Sequence, residues 1–573
     1  MTLTQLARRG HPATAAVTND AKTTALIDAS TGASLTYAAL WTHIAAAAAG
    51  LAAAPTRVRR GDVVAVAGSP GLTGPVLLHA VGVLGAAMCA VDPAAPEAEA
   101  TRLLAPLRPN VVAGDRVAMG RLRRVAAALG AAAGHPVAVL VIDGDVPPPA
   151  PVTASEAVPE AAVEVSLPAL IAAAAPTVDV DAVLASPGVT ADDVALLAHS
   201  SGSGGLPKVI VHTHRTLGAA LTCMAAGPAR TPAVVAAAAR MFHIGGVLPY
   251  SMVAPFTRDT GVVLRDPALE TVLAAIAAYK VERLTVPPPL LLALATDPSV
   301  AAADTQSLAV VHCAGGPSAG ATQAAVATRL RVTVGQYYGS TETLAVAMTP
   351  PNAMNAYPDG ATAGGATPRP GTVGFPAPGV AVRVVDVSPP HNDVAAGTLG
   401  QLLIRSPQLM VGIAGDAAAT AAAIDADGWW HSGDWGQVEP VTGALRVLGR
   451  IDDAIQVGYS LVSAEEVEDV LRAVPGVADA GVVGAPDDIE GQVLHAFLVA
   501  APAAVLAAAA GAGAGGSGGK AAPRAVSTAD VLAAVAGVLS PQKCPRGITW
   551  VDRLPTTSTG KILRRHLRAQ LPS

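Results

Sequence analysis

The sequence predicts an α/β protein, with a large N-terminal domain of parallel-sheet α/β subdomains followed by a small C-terminal α+β domain. Three observations carry that reading. From Ala25 to about Pro440, short Val/Leu-rich runs alternate with Ala-rich helical stretches, a pattern of βα units that places strands side by side in parallel. Near Arg450 the character changes, and a more charged strand-and-helix module runs on to the C-terminus. At 573 residues the chain has room for several domains. The expected division is 1–450 and 451–573.

Each element has a local reason. Val63-Val64-Ala65-Val66 reads as a strand, the stretch around Leu77–Leu84 as a helix, and Val111-Val112 as the next strand. The most apolar segment, Pro75 to Val91, is interrupted by His79 and two glycines and is short for a bilayer span. It reads as a buried helix of a chain with no integral membrane segment. The Pro/Ala-rich stretch from Val146 to Pro159 reads as a loop insertion. Residues 501–523 are Ala/Gly low complexity, too poor in large apolar side chains to fold alone.

Composition narrows the function classes. Hydrophobic residues make up 51% of the chain, largely Ala, while aromatics are only 3%, so Val, Leu and Ala must fill the cores. A net charge of -6 leaves no electrostatic footprint for nucleic acid. The four cysteines, Cys89, Cys223, Cys313 and Cys544, are isolated, which fits a reduced, cytoplasmic setting. No secretory hydrophobic region follows Arg8 and Arg9, and the final Leu-Pro-Ser differs from the Ser-Lys-Leu peroxisomal address. Lysine occurs at only six positions, so a lysine on a motif is rarely there by chance.

The first chemical segment is His199-Ser200-Ser201-Gly202-Ser203-Gly204-Gly205-Leu206-Pro207-Lys208, which follows the strand-like run Val194–Ala198. Small residues and hydroxyls let backbone N–H groups wrap phosphate oxygens, and the lysine adds a point charge. It is not a Walker A loop, because Pro207 precedes the lysine and Val209 follows it. Downstream come Met241-Phe242-His243-Ile244-Gly245-Gly246, Cys313-Ala314-Gly315-Gly316-Pro317, and Gln336-Tyr337-Tyr338-Gly339-Ser340-Thr341-Glu342-Thr343. Then follow Gly428-Trp429-Trp430-His431-Ser432-Gly433-Asp434, Gly449-Arg450-Ile451-Asp452-Asp453, and Thr559-Gly560-Lys561-Ile562.

In this order the motifs resemble those of the acyl-adenylate-forming (AMP-binding) superfamily, which includes acyl-CoA synthetases, peptide-synthetase adenylation domains and luciferases. The resemblance covers essentially the whole chain, and around Ser201 and from Ala419 to Asp434 it is to 4-coumarate–CoA ligase-like enzymes. It implies an ATP-dependent ligase, using ATP, Mg²⁺ and CoA, that joins a small-molecule carboxylic acid to AMP and then to a thiol. The residue chemistry agrees with that expectation. Tyr338 offers a flat face for adenine, Thr341 a hydroxyl for the α-phosphate, and Glu342 the hard oxygen ligand that Mg²⁺ requires. Asp434 can accept from both ribose hydroxyls, and Arg450 can reach ribose or phosphate. Gly315 and Gly316, with Gln336, Tyr337 and Gly339, flank the adenine and acyl sites in the family, and Ser200, Ser201, Gly202, Ser203, Gly205 and Lys208 form the phosphate loop. By the same resemblance His243 stands at the mouth of the acyl pocket, and Lys561, on a mobile C-terminal domain, bridges carboxylate and α-phosphate. Asp452 matches the hinge about which that domain turns. A monomer or homodimer is expected.

Several positions depart from the family. Gly204 replaces a Thr and Val209 a Gly in the phosphate loop, and one lost hydroxyl weakens a phosphate contact by about 1 kcal/mol. Gln401 replaces a Glu and Ser406 a Gly. After the hinge, Tyr459 stands where a glycine lines the pantetheine tunnel, and Gln456 and Leu461 replace a catalytic lysine and glutamine. These leave acyl-AMP formation better supported than thioester formation. The alternatives are an adenylating enzyme with a carrier-protein or amine acceptor, and a nucleotide-binding homologue without turnover.

Overall fold

The computed structural model describes residues 1–11, 20–53, 55–68, 71–142, 164–200, 208–224, 231–316, 318, 320–349, 372–387, 391–457, 460–487, 489–501, 526–557 and 560–571. The predicted insertion at 146–159, nearly all of 501–523, and most of the phosphate loop lie outside them. Three sheets build the N-terminal part. One has eight strands and runs from the two-residue strand Gly412–Ile413 through Val209–Thr213, Val194–His199, Ala87–Ala90 and Val63–Val66 to Glu164–Ser166. All its pairings from Val194–His199 to Glu164–Ser166 are parallel. The second sheet has nine strands, and its centre, from Thr333–Ser340 through Val310–Cys313 to Thr24–Asp28, is also parallel. The third is a four-stranded antiparallel sheet that contains Trp430–Val438 and Leu445–Arg450.

Parallel strands are covered on both faces, so they read as continuous apolar runs; Ala87–Ala90, Val111–Gly114 and Ala138–Val141 are buried at every position. The helix Tyr37–Ala52 packs into the same core, and the run Ala45 to Ala48 is wholly buried. Alanine there lets backbones approach where the chain has few large rings to fill space. Tyr37 anchors the layer, its hydroxyl donating to the carbonyls of Ala254 and Asp259 at 2.9 and 2.5 Å.

One expectation is corrected. Pro75 to Val91 is not a single helix: the helix spans Thr73–Val83, turns at Gly85 in the left-handed region (φ 72°), and continues as the central strand Ala87–Ala90. A continuous apolar run cannot distinguish a buried helix from a buried strand. Among the described residues no helix is long and apolar enough to cross a membrane.

The smaller C-terminal domain carries a five-stranded sheet around the long hairpin Val477–Asp487 and Gly491–Ala500, with Gly547–Trp550 parallel to the latter. The helix Ala464–Arg472 is capped by the Ser463 side chain, which accepts from Glu466 N, and its buried face of Ala464, Val467 and Leu471 covers this sheet.

Candidate active site

Strands of the three N-terminal sheets and the last loop of the C-terminal domain supply the candidate site. The strand Val194–His199 delivers Ser200, which is buried and whose N–H donates to the Lys208 carbonyl at 2.9 Å. That bond closes the base of the phosphate loop and leaves Lys208 exposed at the start of the strand Val209–Thr213. Ser201, Gly202, Ser203 and Gly205 lie outside the described residues.

The strand Thr333–Ser340 supplies the next group. Gly339 is required by close approach, because a Cβ there would stand 1.7 Å from the Leu344 carbonyl oxygen. Tyr338 is held by its hydroxyl, which donates to Asp434 Oδ2 at 2.5 Å. Tyr337 stacks on His312 with ring centroids 4.4 Å apart. The Gln336 carboxamide is turned inward, accepting from Ser318 and Gln323 and donating to the Gly316 carbonyl at 3.2 Å. It therefore shapes the Gly315–Gly316 turn. Gly315 adopts φ 88° with open space where a side chain would project, while a Cβ on Gly316 would lie 3.2 Å from Pro288.

Asp434 and Arg450 face each other across paired strands of the antiparallel sheet. Arg450 donates to the Ser432 carbonyl at 2.6 Å and to Asp434 Oδ1 at 3.3 Å. Gly433 between them has φ 66°, and a Cβ would meet the Arg450 guanidinium at 2.7 Å. Burial pushes the Asp434 carboxyl up, against the opposing pull of Arg450, the Tyr338 hydroxyl and Lys561. Each carboxylate oxygen has one protein partner and keeps acceptor capacity for a ligand hydroxyl. Arg450 Nε is out of solvent and has no hydrogen-bond partner among the described residues.

Lys561 comes from the C-terminal domain and lies near enough to Asp434 to pull its carboxyl pKa down, the weaker pull beside that of Arg450. Its loop is tight: Lys561 N–H donates to Thr557 Oγ1 at 3.1 Å, and Thr557 N–H returns a bond to the Lys561 carbonyl at 2.8 Å. Gly560 (φ 82°) sits against Pro289, where a Cβ would be 2.3 Å from the ring. The helix Pro288–Thr296 thus meets the Gly315–Gly316 turn through Pro288 and the lysine loop through Pro289. Sequence reasoning missed this double contact, although the triplet Pro287-Pro288-Pro289 marks a rigid turn there.

His243 heads the helix Ile244–Leu248, its carbonyl accepting from Gly246 and Val247. Its ring lies 4.2 Å from that of Phe242, and burial lowers its pKa against the pull of Asp92, which keeps it neutral. Asp452 is exposed in the turn Ile451–Asp453, and beside it Asp453 pairs with Arg564 at 3.5 Å. Tyr459 and the side chain of Leu461 lie outside the described residues; Gln456 is exposed, its N–H donating to Gln492 Oε1 at 3.2 Å.

Glu342 fits a Mg²⁺ site as a single hard oxygen donor. Its backbone is fixed, its carboxylate makes no hydrogen bond or ion pair among the described residues, and no group of three or more possible metal ligands forms among them. Mg²⁺ bound here would complete its shell with phosphate oxygens and water, as that ion commonly does.

The model of the AMP-binding enzyme family matches residues 13–414, and the model of the AMP-binding enzyme C-terminal domain matches residues 466–561. The chain belongs to the AMP-binding enzyme family. Within this adenylate-forming family it is 32% identical, over 376 residues, to a fatty acid–[acyl-carrier-protein] ligase, ScoC, of Streptomyces coeruleorubidus. That match covers 65% of this chain and 66% of the relative. It is 27% identical to 4-coumarate–CoA ligase-like 4 of Oryza sativa subsp. japonica, over 95% of this chain and 89% of the relative. Its fold is that of ATP-bound MatB from Rhodopseudomonas palustris, with a TM-score of 0.78 at 22% identity, over 100% of this chain and 99% of that one.

Proposed function

We propose that this AMP-binding enzyme is an ATP-dependent carboxylic acid:CoA ligase that forms an acyl-AMP and then an acyl-CoA thioester, releasing pyrophosphate and AMP. One observation carries the first half: Gly560 seats the Lys561 loop on Pro289, which brings that cation within electrostatic range of Asp434 in the Tyr338–Asp434–Arg450 cluster. A cation there lies where charge develops as a carboxylate attacks the α-phosphorus and pyrophosphate leaves. Asp434 receives the ribose hydroxyls, Tyr338 and the Gly315–Gly316 turn flank adenine, and Ser200, Lys208 and Thr341 serve the phosphates. Glu342 would hold Mg²⁺, which would neutralise phosphate charge. His243, neutral, stands by the acid without adding a competing cation. In this reading residues 1–450 form the adenylation domain, 451–573 form the lid, and Asp452 is its hinge, since one site must serve two nucleophiles in turn.

Acid-dependent ATP–pyrophosphate exchange tests the first half, over short, medium, long and hydroxycinnamic acids. Exchange stimulated by at least one acid is expected; exchange by none removes the enzymatic reading. The relative that is an acyl-carrier-protein ligase favours a second acceptor. CoA-dependent AMP release with thioester formation is expected if CoA is the acceptor, and exchange without it favours a carrier-protein thiol.

A further inference from the structure

Four residues beyond Lys208 on the strand Val209–Thr213, His212 is fully buried. Its Nε2 lies 2.8 Å from the Thr341 carbonyl oxygen and its Nδ1 3.2 Å from Thr216 Oγ1. A carbonyl only accepts, so Nε2 bears the proton and Nδ1 is left as a bare acceptor beside the Thr216 hydroxyl, which itself donates to the Thr213 carbonyl at 3.1 Å. Burial pushes the ring's pKa down to about 4, so it stays neutral at physiological pH.

The turn that His212 grips is held at both ends. The Glu342 carbonyl accepts from Met410 N–H at 2.8 Å, and Ser340 Oγ accepts from the N–H groups of Glu342 and Thr343 at 3.2 Å each. With the backbone so engaged, the Thr341 hydroxyl and Glu342 carboxylate make no hydrogen bond of their own among the described residues. No other side chain joins the strand leaving the phosphate loop to the Thr341 backbone among them.

We propose that His212 is a positioning residue, which holds the Thr341 carbonyl and so aims Thr341 and Glu342 at MgATP in register with Lys208. The proposal rests on the reading of this cluster as an ATP site. An apolar side chain at 212 would take the donor from the half-buried Thr341 carbonyl, and the turn would relax to find another.

Steady-state kinetics and calorimetric titration of MgATP on the full chain test this, with thermal melts of every variant. His212→Leu should raise KM for MgATP about tenfold, the equivalent of one lost hydrogen bond, and leave KM for the acid within about twofold. His212→Gln, which retains an amide donor, should recover most of the loss. Unchanged MgATP affinity in folded His212→Leu would overturn the proposal, as would equal increases in both KM values. If His212→Leu does not fold, His212→Met decides: it keeps much of the side chain's bulk without a donor, so weaker MgATP binding supports the proposal and unaltered binding refutes it. The titration reads His212 even if wild type shows no exchange, so loss of the proposed activity and loss of this inference remain distinguishable.

Discussion

The Tyr338–Asp434–Arg450 cluster and the Lys561 loop meet at one site but are built in different ways. In the cluster, side chains fix one another through charge-assisted bonds, Arg450 to Asp434 across paired strands and Tyr338 to Asp434 from another sheet, and Gly433 admits the Arg450 guanidinium. Lys561 is exposed, its loop is closed by its own Thr557, and its seat on the N-terminal part is the contact of Gly560 with Pro289. The first region is preorganised and the second is only docked. On the proposed function, a site that binds a nucleotide in both half-reactions but needs a catalytic cation in one should divide its residues in this way.

The sharpest way to break this comparison is to remove the docked charge. Lys561→Ala should lower pyrophosphate exchange by about 10²–10³-fold, the usual cost of one preorganised charge or donor in a transition state, with an unchanged melting curve and MgATP affinity. Activity within twofold of wild type would remove Lys561 from the chemistry. A smaller effect tests the seat. Gly560→Val needs a strained backbone at φ 82° and drives a Cβ to within 2.3 Å of Pro289. Exchange should fall about tenfold while Tyr338, Asp434 and Arg450 still bind nucleotide; equal loss of both would show that the two regions are not separable.

The smallest expected effect lies at the domain junction. Glu465 presses its carboxyl on Gly449, and its Oε2 is out of solvent without a hydrogen-bond partner among the described residues. Burial, reinforced by Glu468, Asp469 and Asp434 against the pull of Arg564, pushes its pKa from 4.5 up to about 8. A carboxyl with a raised folded pKa binds more protons folded than unfolded, so its contribution weakens as pH rises from about 4.5 and levels off near 8. Glu465→Gln should therefore melt with wild type at pH 5 and about 2 °C above it at pH 8. Parallel melting curves at both pH values would show that the carboxyl escapes to water.

The sequence made most of the fold legible because alternating apolar runs and helical stretches are local signals. Val63–Val66 appears as read and the run Val194–Ala198 as a strand one residue longer, whereas the strand Ala87–Ala90 was hidden inside an apolar run that periodicity cannot divide. The candidate site was legible as motifs because glycine, proline and a scarce lysine are demanded by backbone and charge. Gly339, Gly433 and Gly560 each stand where a Cβ would collide. Pairings between motifs were not legible. Nothing in the chain order joins Tyr338 to Asp434, 96 residues apart, or His212 to Thr341, 129 residues apart.

By itself, then, the sequence determined most element types and the candidate groups proposed for nucleotide, phosphate and carboxylate, since these depend on residue type and short spacing. Tertiary structure alone decided that the Lys561 loop is docked against Pro289 through Gly560, that Tyr338 anchors Asp434 through its hydroxyl, and that a neutral histidine pins the Thr341 turn. Those contacts join strands and loops far apart in the chain, and a hydrogen bond or a van der Waals contact depends on ångström distances that only packing sets.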